Sequence, residues 1–195
     1  IPSGHRHLTS IMEAMTENCE MVIGYRKYTS EETGTYTLRP YAVKEFAKRW
    51  YLVGYCIERD AMRIYGLDRI MSLDITGNRF KMPKDFDVDR IFATSFGPYI
   101  PESKGQTVVF RTTRKEANFL RDLPVHDSQR ELSAAEARKH VPGLTPLDER
   151  VYFEIFVCPN DSLVMEFCKH GGRLEVISPA SVREAVAGEL RKAAV

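Results

Sequence analysis

The sequence has almost no excess of charge of either sign. Its 28 lysines and arginines stand against 27 aspartates and glutamates, which leaves a formal net charge of +1. A protein that holds nucleic acid by bulk electrostatics over its whole surface needs a large positive excess, so that class is excluded. An acidic solvating tail is excluded by the same balance. A local basic patch remains compatible with it, so the distribution of charge matters more than the total.

Long hydrophobic runs are also lacking. No stretch approaches the roughly 20 apolar residues of a membrane span, and Val151–Val157 is strand-sized and interrupted by Glu154. The chain opens Ile-Pro-Ser-Gly-His-Arg-His, which lacks an initiator methionine and the features of a signal peptide. We therefore expect a cytoplasmic protein with no membrane partner, and we expect this chain to be a fragment or a processed product.

Cysteine is scarce, and none of the four cysteines lies in a CxxC pair: Cys19, Cys56, Cys158 and Cys168. A chain of 195 residues can bury a core without covalent staples. Reduced thiols are therefore the simplest interpretation, with disulfides as the alternative.

Motifs of the common enzyme classes are missing. The sequence contains no GxSxG, no HExxH and no glycine-rich phosphate loop. His5 and His7 are a weak metal pair near the terminus, and a nucleophilic cysteine is a further minor alternative. We therefore expect no enzyme activity, no metal and no cofactor.

The first half of the chain predicts a helix followed by short strands. Residues 1–10 lack periodicity and are predicted to be a linker, and His7–Asn18 carries helical spacing of apolar residues. Five strands follow at Glu20–Tyr28, Tyr36–Phe46, Arg49–Ile57, Met62–Leu67 and Ile70–Ile75, with a turn at Thr29–Gly34 and a helix at Asp87–Phe96. Pro40 removes a ladder donor and indicates an edge or a bend. Short turns between short strands favour a small, bent antiparallel sheet or barrel.

The second half predicts a small α+β domain. Gly97–Gly105 contains two prolines and two glycines and is predicted to be the domain boundary. Strands and helices then follow at Thr107–Thr112, Lys115–Leu123, Arg130–Leu132, Val151–Val157, Ser162–Lys169, Leu174–Ile177 and Ala180–Ala194. This order of a strand, helix, strand, strand, helix and strand is typical of a ferredoxin-like domain. The amphipathic last helix suggests either packing on this domain or a homodimer.

The slight positive charge is concentrated in one segment. The segment from Arg39 to Arg69, with both ends counted, contains seven basic and four acidic residues, interleaved with aromatic side chains. Arginines and aromatics on adjacent strands can bind phosphates and stack on bases. The alternative is that the aromatics form the core and the bases are solvated.

Two blocks within this segment resemble the WYL domain of bacterial transcriptional regulators. The first is Arg49–Cys56, which contains Trp50-Tyr51-Leu52, and the second is Arg63–Ile70, which reads Arg-Ile-Tyr-Gly-Leu-Asp-Arg-Ile. Leu174–Pro179 and the helix after it resemble the C-terminal extension that often follows this domain. The resemblance covers residues 8–195 and divides the chain into a linker (1–10), a WYL domain (11–96), a second linker (97–105) and a C-terminal extension (106–195).

The resemblance implies an Sm-like, SH3-like barrel that senses a ligand, either single-stranded DNA or RNA or a nucleotide. In the family this barrel controls an N-terminal winged helix-turn-helix, for which residues 1–18 are too short. Operator DNA would therefore be bound through a missing N-terminal domain, in a homodimer. The alternative function is a protein-interaction and dimerisation module with no small ligand.

The expected ligand site centres on two arginines. Arg63 and Arg69 are six residues apart, so on a continuous strand they share a face with Tyr65 and could form a phosphate fork, although a bend at Gly66 would change this. The alternative role for Arg69 is an ion pair. The remaining candidate ligand-binding residues are Tyr51, Arg49, Tyr25, Arg39, Lys44 and Arg26. Trp50 is predicted to be a core residue.

Overall fold

The computed structural model describes residues 3–28, 32–141, 143 and 149–193. The protein is a mixed α+β structure with two antiparallel sheets, and it divides into two compact units. The first unit holds the residues up to Phe92 together with Gly97–Ile100, and the second holds Ala93–Phe96 and the residues from Pro101 onward. The chain thus passes between the units three times, rather than once through a linker at Gly97–Gly105.

The first unit is built on a five-stranded antiparallel sheet. Its elements are α1 (Leu8–Glu17), β1 (Cys19–Arg26), β2 (Thr33–Phe46), β3 (Arg49–Cys56), β4 (Ala61–Gly66), β5 (Ile70–Arg79) and α2 (Val88–Phe92), with 3-10 helices at Ser3–His7 and Leu67–Arg69. The strand order is β4-β3-β2-β1-β5. Within the described residues β4 and β5 each pair on one side only, so the sheet is open and no closed barrel is found.

The start of the chain is more ordered than its composition predicts. The segment predicted to be a linker instead forms the 3-10 helix Ser3–His7 and the first turn of α1. Side-chain nitrogens of Arg6 and His7 lie 2.9 and 3.0 Å from the carbonyl oxygen of Ile70. These long-range contacts hold the segment against the end of the sheet, and local sequence patterns do not reveal such contacts.

Several element boundaries differ from the prediction. The predicted helix Asp87–Phe96 is shorter, because α2 covers only Val88–Phe92. The carboxylate of Asp87 accepts the backbone N–H groups of residues 89 and 90 and so caps this helix. The predicted turn at residues 29–34 lies partly outside the described residues, and its last two residues already belong to β2.

The two faces of β3 enter different apolar clusters. Trp50, Leu52 and Cys56 pack with α1 and the inner residues of β1, whereas Val53 packs with Phe92 of α2. This assignment follows the period of two along a strand. The core role predicted for Trp50 agrees with its contacts, although the ring is only partly buried.

Pro40 marks a bend rather than an edge. β2 lies between β3 and β1, and its register with β3 shifts between Pro40 and Ala42. A bulge accommodates the proline because the ladder hydrogen bond that it cannot donate is locally interrupted.

The second unit is a four-stranded antiparallel sheet with helices. Its elements are β6 (Gln106–Thr112), α3 (Arg114–Asp122), β7 (Arg130–Glu131), α4 (Ala134–His140), β8 (Val151–Val157), α5 (Asp161–Lys169), β9 (Leu174–Ser178) and α6 (Ala180–Ala193), with a 3-10 helix at Gly171–Arg173. The sheet order is β7-β8-β6-β9. A core of apolar side chains from β6, β8 and β9 packs against α3, α5 and α6.

Helix α4 is absent from the sequence prediction, although a local signal for it exists. Ser133 accepts the N–H of Glu136, and the Glu136 carboxylate accepts the N–H of Ser133, which together form a capping box. The helix has only seven residues, so its apolar periodicity is too short to predict it. Helix α5 has a side-chain cap, because Asn160 accepts the N–H of Leu163 at 3.0 Å.

All four cysteines are free thiols in the structure. In the part of the chain that the structure describes, no helix is long and apolar enough to cross a membrane.

Candidate functional site: a cationic and aromatic pocket in the first unit

The end of β4 sets the geometry of the candidate site. The strand stops at Gly66, and Leu67–Arg69 forms a 3-10 turn before β5 begins. Arg63 and Arg69 therefore do not lie on one continuous strand, and the face-sharing argument from their spacing is wrong. Tyr25 is the residue that links them, because Arg63 lines a pocket that includes Tyr25 and Arg69 lies over the Tyr25 ring.

Arg69 lies between two aromatic rings. Its guanidinium carbon is 4.9 Å from the centroid of Tyr25 and 4.2 Å from that of Tyr28. Both distances allow cation–π attraction. The Nε atom of Arg69 is buried and has no hydrogen-bond partner among the described residues. Among the described residues, Arg69 forms no ion pair with a carboxylate, so the alternative role predicted for it is not observed there.

Arg49 ties the turn to the same aromatic layer. Its guanidinium donates to the hydroxyl oxygen of Tyr28 at 2.6 Å and forms a short ion pair with Asp68. It also lies 6.0 Å from the ring centroid of Tyr51. The hydrogen bond to Tyr28, with the Asp68 contact, raises the pKa of Arg49 above its ordinary value. Arg49 thus holds the turn in place, and Asp68 neutralises part of its positive charge.

A pocket of about 450 Å³ lies in the second unit, and one of about 330 Å³ lies on the first. The pocket on the first unit is lined by Tyr25, Lys27, Tyr36, Arg59, Arg63, Ile64 and Tyr65; we call it the tyrosine pocket. Its described lining holds three cationic and three tyrosine side chains and no carboxylate. Arg63 is exposed, and its side chain makes no ion pair or hydrogen bond with another described residue. The pocket therefore presents uncompensated positive charge beside aromatic surface.

The tyrosines of this pocket are held by one another and by the backbone. Tyr25 and Tyr65 meet edge to face with centroids 4.9 Å apart, and the Tyr36 centroid is 5.9 Å from that of Tyr65. The hydroxyl oxygen of Tyr25 accepts the N–H of Gly66 at 3.1 Å. Edge-to-face pairs stabilise a fixed ring arrangement. The ring of Tyr25 is thus tied to Gly66, which directly precedes the turn that carries Arg69.

Two environments separate the acidities of these tyrosines. Burial raises the pKa of Tyr25 and of Tyr65 above the ordinary value for tyrosine. A hydrogen bond from Arg59, aided by Lys27, lowers the pKa of Tyr36. Arg59 also lies 5.8 Å from the Tyr36 ring centroid. Two of the three cations of the pocket, Arg59 and Lys27, therefore lie close to the hydroxyl group of Tyr36.

Three of the candidate residues lie away from the tyrosine pocket. Arg39 pairs with Glu20 at 2.9 Å, and Lys44 pairs with Asp89 at 3.3 Å. Arg26 follows Tyr25 on β1, so the alternation along the strand directs it to the opposite face. Of the predicted set, the structure brings together Tyr25, Arg63, Arg69, Arg49 and Tyr51, of which only Tyr25 and Arg63 line the pocket itself.

Sequence reasoning missed Lys27, Tyr28, Tyr36 and Arg59. Tyr36 and Tyr65 belong to strands whose inward face can be deduced from the alternation of apolar residues. For Tyr65 the sequence predicts only that it shares a face with Arg63. Arg59 lies in the polar turn between β3 and β4, where a charged residue is predicted to point into solvent. No group of three or more histidine, cysteine or acidic residues suited to a metal occurs among the described residues.

Two protein-family models match the chain, and one matches within each of the two units. The model of the WYL domain matches residues 6–75, and the model of the WCX domain matches residues 104–194. No curated protein matches the chain significantly.

Two solved structures align with the chain. Proteasome accessory factor B/C (PafBC) of Arthrobacter aurescens is 19% identical with a TM-score of 0.43, over 99% of this chain and 27% of that one. A CRISPR Cas-related protein is 17% identical with a TM-score of 0.58, over 98% of this chain and 52% of that one. This chain thus spans about half of the second protein and less of the first, and the second likeness concerns the fold alone. The chain is therefore similar to the WYL domain over residues 6–75 and to the WCX domain over residues 104–194.

Proposed function

We propose that this chain is the ligand-sensing regulatory part of a bacterial transcriptional regulator, and that the tyrosine pocket of its WYL domain binds a phosphate-bearing ligand. The ligand class is single-stranded nucleic acid or a nucleotide. The observation that carries the proposal is the lining of the pocket, where Lys27, Arg59 and Arg63 stand beside three tyrosine rings with no carboxylate among the described lining residues.

The chemistry of these side chains suits such a ligand. A guanidinium offers paired N–H donors to phosphate oxygens, and tyrosine rings offer faces on which a base can stack. A volume of about 330 Å³ falls within the range of pockets for small molecules. Arg69, lying on Tyr25, adds a further cation next to the pocket wall.

Regulation requires that the bound state differ from the free one elsewhere in the protein. A ligand acts on DNA binding only by favouring one of two arrangements of the protein. We place the DNA-binding surface in an N-terminal domain outside this chain, and the functional assembly is a homodimer. No catalytic step is assigned to the chain.

We also propose a fold type for each unit. For the first unit we propose an Sm-like fold, which the leading helix and the strand order β4-β3-β2-β1-β5 support. For the second unit we propose a ferredoxin-like fold with α4 as an added helix, which the strand order β7-β8-β6-β9 supports.

The direct test is a salt titration of oligonucleotide binding. A fluorescent single-stranded DNA and a mononucleotide are titrated with the chain, and affinity is followed as salt rises. Phosphate contacts predict a slope of log affinity against log salt of about −0.7 for each neutralised phosphate. The variant Arg63→Gln should weaken binding about tenfold and reduce the steepness of this slope by about 0.7.

The matched control is Arg26→Gln, which removes the same charge from the opposite face of β1. It should leave the affinity near that of the wild type. If both variants weaken binding equally, the attraction is nonspecific and the pocket is not its site. If neither single strands nor nucleotides bind at low salt, the sensing proposal is wrong for these ligands, and the protein-interaction alternative gains support.

A further inference from the structure

The second unit carries a groove that the proposed ligand pocket does not explain. It lies between α5 and α6, has a volume of about 450 Å³, and is lined by Asp161, Val164, Met165, Glu184, Ala185, Gly188, Glu189 and Lys192. Four of the eight lining residues are apolar or small: Val164, Met165, Ala185 and Gly188. Met165 is 54% exposed, so a molecule in the groove could reach its side chain.

The position of Gly188 in the groove also needs an explanation. It lies inside α6 (Ala180–Ala193), where glycine destabilises a helix relative to alanine. A Cβ atom built at Gly188 would meet nothing within 4 Å. The described residues of this chain therefore do not require glycine at this position. A second molecule that approaches the backbone of α6 closely would require it, because small residues let helices pack at short interaxial distance.

The charged residues that line the groove are mostly acidic. Three carboxylates, on Asp161, Glu184 and Glu189, surround the groove, and Lys192 is the only base among its described lining residues. Lys192 is already bonded to Glu189 at 2.7 Å. Asp161 lies in the first turn of α5, where the helix dipole favours an acid, but Glu184 is exposed and has no ion-pair partner among the described residues.

We propose that this groove is a docking site for an amphipathic helix of a partner protein that carries lysine or arginine beside a large aliphatic side chain. The aliphatic side chain would fill the space above Gly188 and Ala185 and contact Met165. The basic residues would face Glu184 and Asp161. An exposed methionine together with charged neighbours is typical of surfaces that receive amphipathic helices.

The test uses three model peptides of about four helical turns. The first is a leucine–lysine peptide with leucines at helical spacing. The second replaces every lysine by glutamate, and the third has the composition of the first with leucine and lysine strictly alternating. Fluorescence anisotropy should show binding of the first peptide, and binding of the other two at least about tenfold weaker. Absence of binding by the first peptide at low salt overturns the proposal, as does equal binding of all three.

Two variants locate the binding. Gly188→Leu fills the groove while improving the helix propensity, and Glu184→Lys reverses a rim charge; each should weaken binding of the helical basic peptide about tenfold. Their controls are Ser181→Leu on an exposed position of α6 and Glu102→Lys on an exposed acid elsewhere in the unit, and neither should change the affinity. Far-ultraviolet circular dichroism checks that every variant remains folded.

The same variants distinguish other occupants. If Gly188→Leu leaves peptide affinity unchanged but reduces the molar mass in light scattering, the groove is an interface between copies of this chain, and the proposal of a basic partner helix is wrong. Unchanged peptide affinity in both groove variants, with unchanged mass, also overturns it.

Discussion

The guanidinium carbon of Arg69 lies 4.2 Å from the ring centroid of Tyr28. The contact joins the segment just after β1 to the 3-10 turn just after β4. The place of one cation at the proposed site therefore depends on how the chain turns after Gly66. A continuous β4 would direct Arg69 by strand alternation, whereas the turn directs it onto aromatic rings.

Gly66→Ala tests the tightness of this turn. A Cβ atom at Gly66 would lie 2.9 Å from Oδ1 of Asp68 and 3.4 Å from Nε of Arg69. The backbone at Gly66 has φ −66°, which suits alanine, so the cost comes from crowding. Because Arg49 holds Asp68, the carboxylate cannot simply move away. We expect the free energy of unfolding in urea to fall by about 1–2 kcal/mol.

The control for this variant is Gly77→Ala in β5, where a Cβ atom would meet nothing within 4 Å. It should be neutral or slightly stabilising. Equal stability of the two alanine variants would show that the turn tolerates a side chain at Gly66.

Asp68→Asn separates stability from ligand binding. The ion pair of Asp68 with Arg49 is partly buried, so its loss should lower the free energy of unfolding by about 1 kcal/mol. The same change removes a negative charge near the cations, so affinity for single-stranded DNA at low salt should rise about threefold. Denaturant unfolding and anisotropy titration measure the two effects.

Glu20→Gln is the matched control, because it breaks the Glu20–Arg39 pair away from the pocket. It should lower stability without raising the affinity. A similar gain in affinity from both variants would mean that net charge, rather than position, controls binding.

Anion binding should weaken at alkaline pH because of Tyr36. The hydrogen bond from Arg59 lowers the pKa of Tyr36 below the ordinary value of 10.0. As the pH rises through this lowered pKa, a tyrosinate adds negative charge between two of the pocket's cations. Affinity for a nucleotide should therefore begin to fall below pH 10 in the wild type. In Tyr36→Phe the decline should be absent over that range, and an unchanged pH profile would remove Tyr36 from the site.

The buried tyrosines should make the first unit sensitive to high pH. Burial raises the pKa of Tyr65 above the 10.0 of an exposed tyrosine. Above pH 10 the unfolded chain loses this proton while the folded chain keeps it, so stability falls as the pH rises. One such residue should cost about 1 kcal/mol in free energy of unfolding at about one pH unit above 10.

Tyr65→Phe should reduce this alkaline loss, measured as the difference between urea unfolding at pH 8 and at pH 11, by about that amount. Tyr99→Phe, at a position that is 54% exposed, serves as the control and should behave like the wild type. If Tyr65→Phe and the wild type lose equal stability, Tyr65 titrates normally and the packing around it is looser than described.

Local patterns predicted most of the elements. The strands and the helices α1, α3, α5 and α6 follow from alternation, helical spacing and caps such as Asn160, because these signals depend on neighbouring residues. Short elements such as α4 and the Leu67–Arg69 turn were missed. They bury too little for a periodic pattern to form, and long-range contacts decide their conformation.

Of the seven residues that line the tyrosine pocket, two belong to the predicted ligand-binding set. These are Tyr25 and Arg63, whereas Lys27, Tyr36 and Arg59 come from three separate segments that only the sheet brings together. The predicted set also includes Arg39 and Lys44, which instead bond to Glu20 and Asp89. Whether a cation is paired depends on which carboxylate the fold places beside it, and no local pattern records that.

The sequence by itself determined the classes of element, the free thiols expected from scattered cysteines, and the concentration of positive charge beside the WYL signature. Those properties depend on composition and on residues close together in the chain. The tertiary structure alone decided which cations are neutralised and which remain available. The order β4-β3-β2-β1-β5 and the turn after Gly66 place Arg59 and Arg63 around the same tyrosines and give Arg49 to Asp68. A charge acts through distance and burial, and folding sets both.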